Sequence, residues 1–142
     1  MHRATLAAVI LALSPAVAAH ATEEMTIDDF EYGTSEAAQA AWVAAEDSLP
    51  AGIMEHDGGT ALQLNADFTT DSRRAVYDRE VDLDLSRWGR FTLDVYIDEP
   101  GLFGSFTLYF QTEGGWYAAS VSLGKQGWKT VLIPRSAFRV ED

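Results

Sequence analysis

From Phe91 to Ile97 every second residue is apolar, with Phe91, Leu93, Val95 and Ile97 separated by Thr92, Asp94 and Tyr96. Phe106, Leu108 and Phe110 repeat the pattern against Thr107, Tyr109 and Gln111. Successive side chains of an extended strand point to opposite faces, so such a run packs on one side and is wet on the other. A helix would scatter the same residues around its axis. Further strand-like runs lie at 25–32, 53–56, 62–65, 75–85, 116–123 and 128–133. Asp57-Gly58-Gly59, Glu99-Pro100-Gly101, Glu113-Gly114-Gly115, Gly124 and Gly127 punctuate them. Closely spaced alternating runs with Gly and Pro at the breaks predict an all-β antiparallel sandwich or barrel. The exception is 35–46 (SEAAQAAWVAAE), whose alanines favour a short helix with Ser35 as its cap. No helical pattern separates the strands elsewhere, which excludes a βα-repeat fold.

The N-terminus is of a different kind. Met1-His2-Arg3 is a basic start, 4–13 is apolar apart from Thr5, and Ala19-His20-Ala21 has the small-residue pattern of a cleavage site. These are the parts of a secretory signal peptide, expected to end at Ala21 or else Ala18. The apolar run falls short of the roughly 20 residues a membrane span requires. The expected domain is therefore 22–142, secreted or periplasmic, with no membrane attachment after cleavage. Losing Arg3 leaves it nine basic residues against 22 acidic, a net charge of −13. Nucleic acid and anionic membranes need a basic footprint, so neither is an expected partner. With no cysteine, an exported domain of this size must rely on its core or a bound ion.

The order of several segments carries a resemblance. Asp28-Asp29-Phe30-Glu31 opens the domain, Trp42 follows, and a Gly-Gly turn precedes Ala61-Leu62. Asp82-Leu83-Asp84-Leu85-Ser86 leads into 91–96, followed by Gly115-Trp116-Tyr117, the stretch 127–134 (GWKTVLIP) and Phe138. Together these resemble the galactose-binding-domain-like jelly rolls that serve as carbohydrate-binding modules on bacterial polysaccharide-degrading enzymes. The resemblance implies a β-sandwich covering nearly all of 25–139. It also implies a last strand beyond Phe138, so a domain incomplete at its C-terminus is expected, with a glycoside hydrolase or other catalytic domain further along a longer parent. Members of the group often carry a structural calcium, and Asp29 and Glu31 are the residues here that would contribute to one.

The wet positions of the alternating strands supply the expected site. Were 91–97, 106–111 and 116–123 neighbours, Tyr96, Tyr109 and Trp116 would cluster on one face with Asp94 and Gln111 between them. Aromatic faces pack against the C–H face of a sugar ring, and amide or carboxylate groups take its hydroxyls. A non-catalytic module that binds a polysaccharide or oligosaccharide is thus the leading expectation. A structural domain packing against a neighbouring catalytic or surface domain, with no sugar bound, is the alternative. Catalysis by this chain is disfavoured. Its acids alternate regularly along strands, His56 is the only histidine beyond residue 21, and no G-x-S-x-G elbow occurs. Arg79, between Asp78 and Glu80, reads as a salt-bridged strand residue, Arg73-Arg74 as a solvated loop, and Trp42 and Trp128 as packing residues.

Overall fold

The two clearest alternating runs are strands, but they do not lie side by side. The structure, a computed structural model, describes residues 3–15, 23–69, 71 and 73–141, the first of these segments by its backbone. In chain order the strands are β1 (Arg3–Pro15), β2 (Met25–Asp28), β3 (Val43–Ala45), β4 (Gly52–His56), β5 (Gly59–Asp67) and β6 (Val76–Asp78). β7 (Trp88–Ile97), β8 (Phe106–Thr112), β9 (Gly115–Val121), β10 (Gly127–Pro134) and β11 (Arg139–Glu141) follow, and the helix α1 (Ser35–Ala41) precedes β3. Among the described residues one six-stranded sheet has the order β10-β7-β1-β5-β4, with β2 paired to β1 off this path. A three-stranded sheet has the order β11-β9-β8, and β3 pairs with β6. All of the pairings are antiparallel. The chain is all-β with one short helix, as its periodicity predicts.

The apolar half of each alternation supplies the core. Phe91, Leu93, Val95 and Ile97 of β7, Val131 and Ile133 of β10 and Leu62 of β5 are buried with Ala119 of β9 and Leu123. Leu108 and Phe110 of β8 pack against them from the smaller sheet. The joint is aromatic: the Phe91 ring lies 4.9 Å from Phe110 and 5.3 Å from Phe138. Each such side chain stabilises the fold by about 1.5–3 kcal/mol through burial. The β4–β5 hairpin turns at Asp57 and Gly58, whose φ values of 46° and 82° are both left-handed. That is the geometry of a type I′ turn, and it explains the Asp-Gly pair.

Four local expectations need correction. The helix ends at Ala41, not Glu46, and its cap is Thr34, whose hydroxyl accepts the Ala37 amide at 3.2 Å. Val43–Ala45 is drawn into pairing with Val76–Asp78, and this ladder outweighs the helix propensity of its alanines. The first strand stops at Asp28 rather than Tyr32. The Asp28 carboxylate accepts the Phe30 amide at 2.8 Å, and Phe30 takes a φ of 59° that turns the chain out of the sheet. Within 75–85 only 76–78 is strand, and Val81 is exposed despite the alternation that continues past it. There Asp84 instead caps a short 3₁₀ turn through the Ser86 amide.

Residues 3–15, expected to leave with the signal peptide, form the central strand of the larger sheet. The expected cleavage positions, Ala18 and Ala21, lie outside the described residues.

Candidate ligand-binding surfaces

The five expected binding residues divide between two surfaces. Tyr96 and Asp94 belong to β7 in the larger sheet, whereas Tyr109, Gln111 and Trp116 belong to β8 and β9 in the smaller one. A single platform holding all five does not exist. Tyr109, Gln111 and Trp116 are exposed on the outward side of their strands, whereas Tyr96 and Asp94, on the non-core side of β7, are half-buried. The assumption that fails is adjacency, because the chain crosses between sheets after Ile97.

On the smaller sheet the register builds a compact outward face. Gln111, Trp116 and Glu141 stand in one cross-strand row, with Tyr109, Ala118 and Arg139 in the next. The Tyr109 and Trp116 rings meet edge to face, 6.2 Å apart at 80°, and expose 38% and 42% of their surface. Small Ala118 between Tyr109 and Arg139 leaves the aromatic faces standing above the sheet. The rim is polar. The Tyr109 hydroxyl donates to Glu141 at 3.2 Å, and the Thr107 and Ser120 hydroxyls share a hydrogen bond of 2.7 Å. Partial burial and then the Glu141 charge push the Tyr109 phenol above its ordinary pKa, so it remains a donor. Arg74, ion-paired with Glu46, lies near enough to Tyr109 and Glu141 to feel both. Glu141 and Arg74 were not foreseen, since neither lies on an alternating run that the sequence marks as exposed.

The larger sheet carries a second aromatic group. Tyr96 lies opposite Trp128 in the β7–β10 register, with ring centroids 5.4 Å apart. His56, on the far edge strand β4, reaches within 4.1 Å of Trp128. Asp94 accepts the Thr130 hydroxyl at 2.5 Å in the adjacent row. Flat, the four strand spacings between β4 and β10 would separate them by about 19 Å. The sheet is therefore curled so that its edges approach over this face. Trp128, read from sequence as a packing residue, closes the curl while keeping 37% of its surface exposed.

The most heavily bonded acid stands at the end of β2. Asp28 is buried, and its carboxylate accepts the Phe30 amide, the Tyr32 hydroxyl at 2.6 Å, the Trp42 indole N–H at 2.9 Å and the Arg79 guanidinium. Arg79 is indeed salt-bridged, though to Asp28 rather than to its sequence neighbours. Burial pushes the Tyr32 phenol up, which keeps it a donor to Asp28. Trp42 packs at 5.7 Å against Phe30, as a packing residue should. Surrounded by donors and with 4% of its side chain exposed, Asp28 is a structural anchor with no route to a substrate.

Asp29 and Glu31, the expected calcium pair, are both exposed, and the Asp29 carboxylate accepts the Glu31 amide at 3.1 Å. Among the described residues no three His, Asp or Glu side chains gather closely enough to hold a metal. Calcium takes six to eight oxygen ligands, which carbonyls and water supply as well as carboxylates, and two carboxylates alone do not make a site.

No helix among the described residues is long and apolar enough to cross a membrane. Comparison with known protein families, characterised proteins and solved structures finds no match to the chain.

Proposed function

We propose that this chain is a non-catalytic carbohydrate-binding module of an exported, polysaccharide-active protein, built as a jelly-roll β-sandwich. Its ligand surface is the outward face of β8, β9 and β11, where Tyr109 and Trp116 supply the ring contacts. Gln111, Glu141 and the Thr107–Ser120 hydroxyls take the sugar's hydroxyl groups. The observation that carries this reading is the exposed edge-to-face pair Tyr109–Trp116 within a polar rim. Two large aromatics held in water on regular strands are poorly accounted for by packing alone. An approaching sugar ring gains apolar contact there without having to open the core. The Tyr96–Trp128 group is the weaker candidate, because His56 already stacks on Trp128. Two of its acids favour binding over catalysis: Asp28 is sealed among donors and Asp94 is occupied by Thr130.

Isothermal titration of the purified full chain against xylan, mixed-linkage β-glucan and galactomannan oligosaccharides tests this. Binding to one class, lost in Trp116→Ala and kept in Tyr96→Ala, supports the assignment. Indifference of the whole panel, or an unaffected Trp116→Ala, defeats it.

A further inference from the structure

Among the described residues β1 is the only strand that joins the two halves of the larger sheet. On one side Arg3–Ala8 pairs with β5, from Arg3 opposite Asp67 to Ala8 opposite Leu62. On the other side the same strand pairs with β7, from Leu6 opposite Ile97 to Pro15 opposite Trp88. β5 and β7 are each antiparallel to β1, so they run parallel to one another, two strand spacings or about 10 Å apart. They share no backbone pairing of their own. Without β1 the sheet separates into a β4–β5 hairpin, a β7–β10 ribbon and a lone β2.

An empty gap there would be costly. Its flanks include Leu62, Ala66, Leu93, Val95 and Ile97, all buried in the full chain. Both flanking strands would also turn a row of unpaired N–H and C=O groups toward the gap. Among the described elements of 25–141 only β2 would be left unpaired, and its four residues are too few to span the gap; β11 is paired with β9, β3 with β6 and β8 with β9. Yet residues 3–15 lie within the segment whose composition is that of a removed signal peptide.

We propose that the gap between β5 and β7 is a strand-acceptor site, filled in the unprocessed chain by residues 3–15 and, after their removal, by an extended apolar segment of a partner polypeptide. The proposal rests on removal of residues 1–21 and is independent of sugar binding. The register specifies the chemistry of the incoming strand. Ala4, Leu6, Ala8, Leu11 and Leu13 are the residues that stand opposite Ala66, Leu64, Leu62, Leu93 and Phe91. The pairing skips between Ala8 and Leu11, marking a bulge. A partner strand of about ten residues must therefore be apolar at these alternate positions, uncharged along its middle and antiparallel to both flanks. A basic residue suits its leading end, where Arg3 stands opposite Asp67 in a domain of strong negative charge. Main-chain pairing along both edges provides affinity, and the alternate apolar positions provide selectivity.

The test starts from the full chain with a protease site placed within 16–22. After cutting, a labelled synthetic peptide of residues 3–15, carrying two added lysines for solubility, is offered in excess. Native mass spectrometry follows exchange, and amide hydrogen exchange follows β5 and β7. We expect protected β5 and β7 amides before cutting, and stoichiometric entry of the labelled peptide afterwards. A peptide carrying Leu6→Asp and Leu11→Asp should compete at least tenfold more weakly. A cut domain that loosens when its segment leaves and recovers on adding peptide also supports the proposal. Unprotected β5 and β7 amides in the uncut chain would overturn it. So would a cut domain that stays protected yet ignores the peptide, or one the peptide cannot restore. N-terminal sequencing of exported protein still carrying residues 3–15 would leave no gap for a partner and would overturn it as well. A glycan panel on the same samples reports separately on the sugar reading.

Discussion

His56 and Trp128 sit on opposite edge strands of one sheet, yet their ring centroids are 4.1 Å apart. The contact measures how far that sheet curls. It also makes the curl testable. His56→Ala should cost about 1 kcal/mol, the size of an aromatic pair, and lower the melting temperature by a few degrees. Iodide quenching should find one tryptophan more accessible in that variant. Unchanged quenching and melting would mean that the edges do not touch in solution.

Asp28 is expected to be the most sensitive polar position. Asp28→Ala leaves the Arg79 charge, the Trp42 N–H and the Tyr32 hydroxyl without their common acceptor, and should cost about 3–5 kcal/mol in urea unfolding. Arg79→Met, which removes one donor and keeps an apolar stem, should cost clearly less. Equal losses in the two variants would assign the effect to the ion pair alone.

Ligand affinity should follow the smaller sheet. Trp116→Ala is expected to weaken glycan binding at least tenfold, or about 1.4 kcal/mol, and Tyr109→Ala to act in the same direction. Tyr96→Ala and Trp128→Ala should leave the dissociation constant within about twofold. The reverse ranking in titration would move the site to the curled sheet.

Stability in alkali should depend on Tyr77. Burial pushes its phenol up to about 12 from 10.0, and its hydroxyl lies 2.8 Å from the Leu49 carbonyl and 2.7 Å from the Asn65 carbonyl. A group with a raised folded-state pKa contributes its full stability below the unfolded value and loses it as pH rises through the folded one. Unfolding free energy should therefore fall between pH 10 and pH 12, with a shallower fall in Tyr77→Phe. Identical slopes for the two proteins would remove Tyr77 from the explanation.

Some elements are legible from single segments. The buried members of 91–97, the wet positions of 106–111 and the turn at Asp57-Gly58 follow from alternation and backbone preference, properties a few adjacent residues carry with them. The role of Asp28 is not legible from its own segment. Its four donors come from Phe30, Tyr32, Trp42 and Arg79, and the last two are brought to it by the fold. Past β6 the alternation has no strand to pair with: Val81 is exposed, while Leu83 and Leu85 are half-buried, alternating with exposed Asp82 and Asp84, and Leu85 packs against the core without a ladder.

From its sequence alone, this protein is determined to be a β-chain whose strands each have an apolar and a polar side, because a two-residue period needs no distant partner to define it. Which strands become neighbours was decided only in three dimensions. Backbone ladders and shared burial depend on segments far apart in the chain. The separation of Tyr96 from Tyr109, the approach of His56 to Trp128 and the insertion of residues 3–15 between β5 and β7 all follow from that choice of partners.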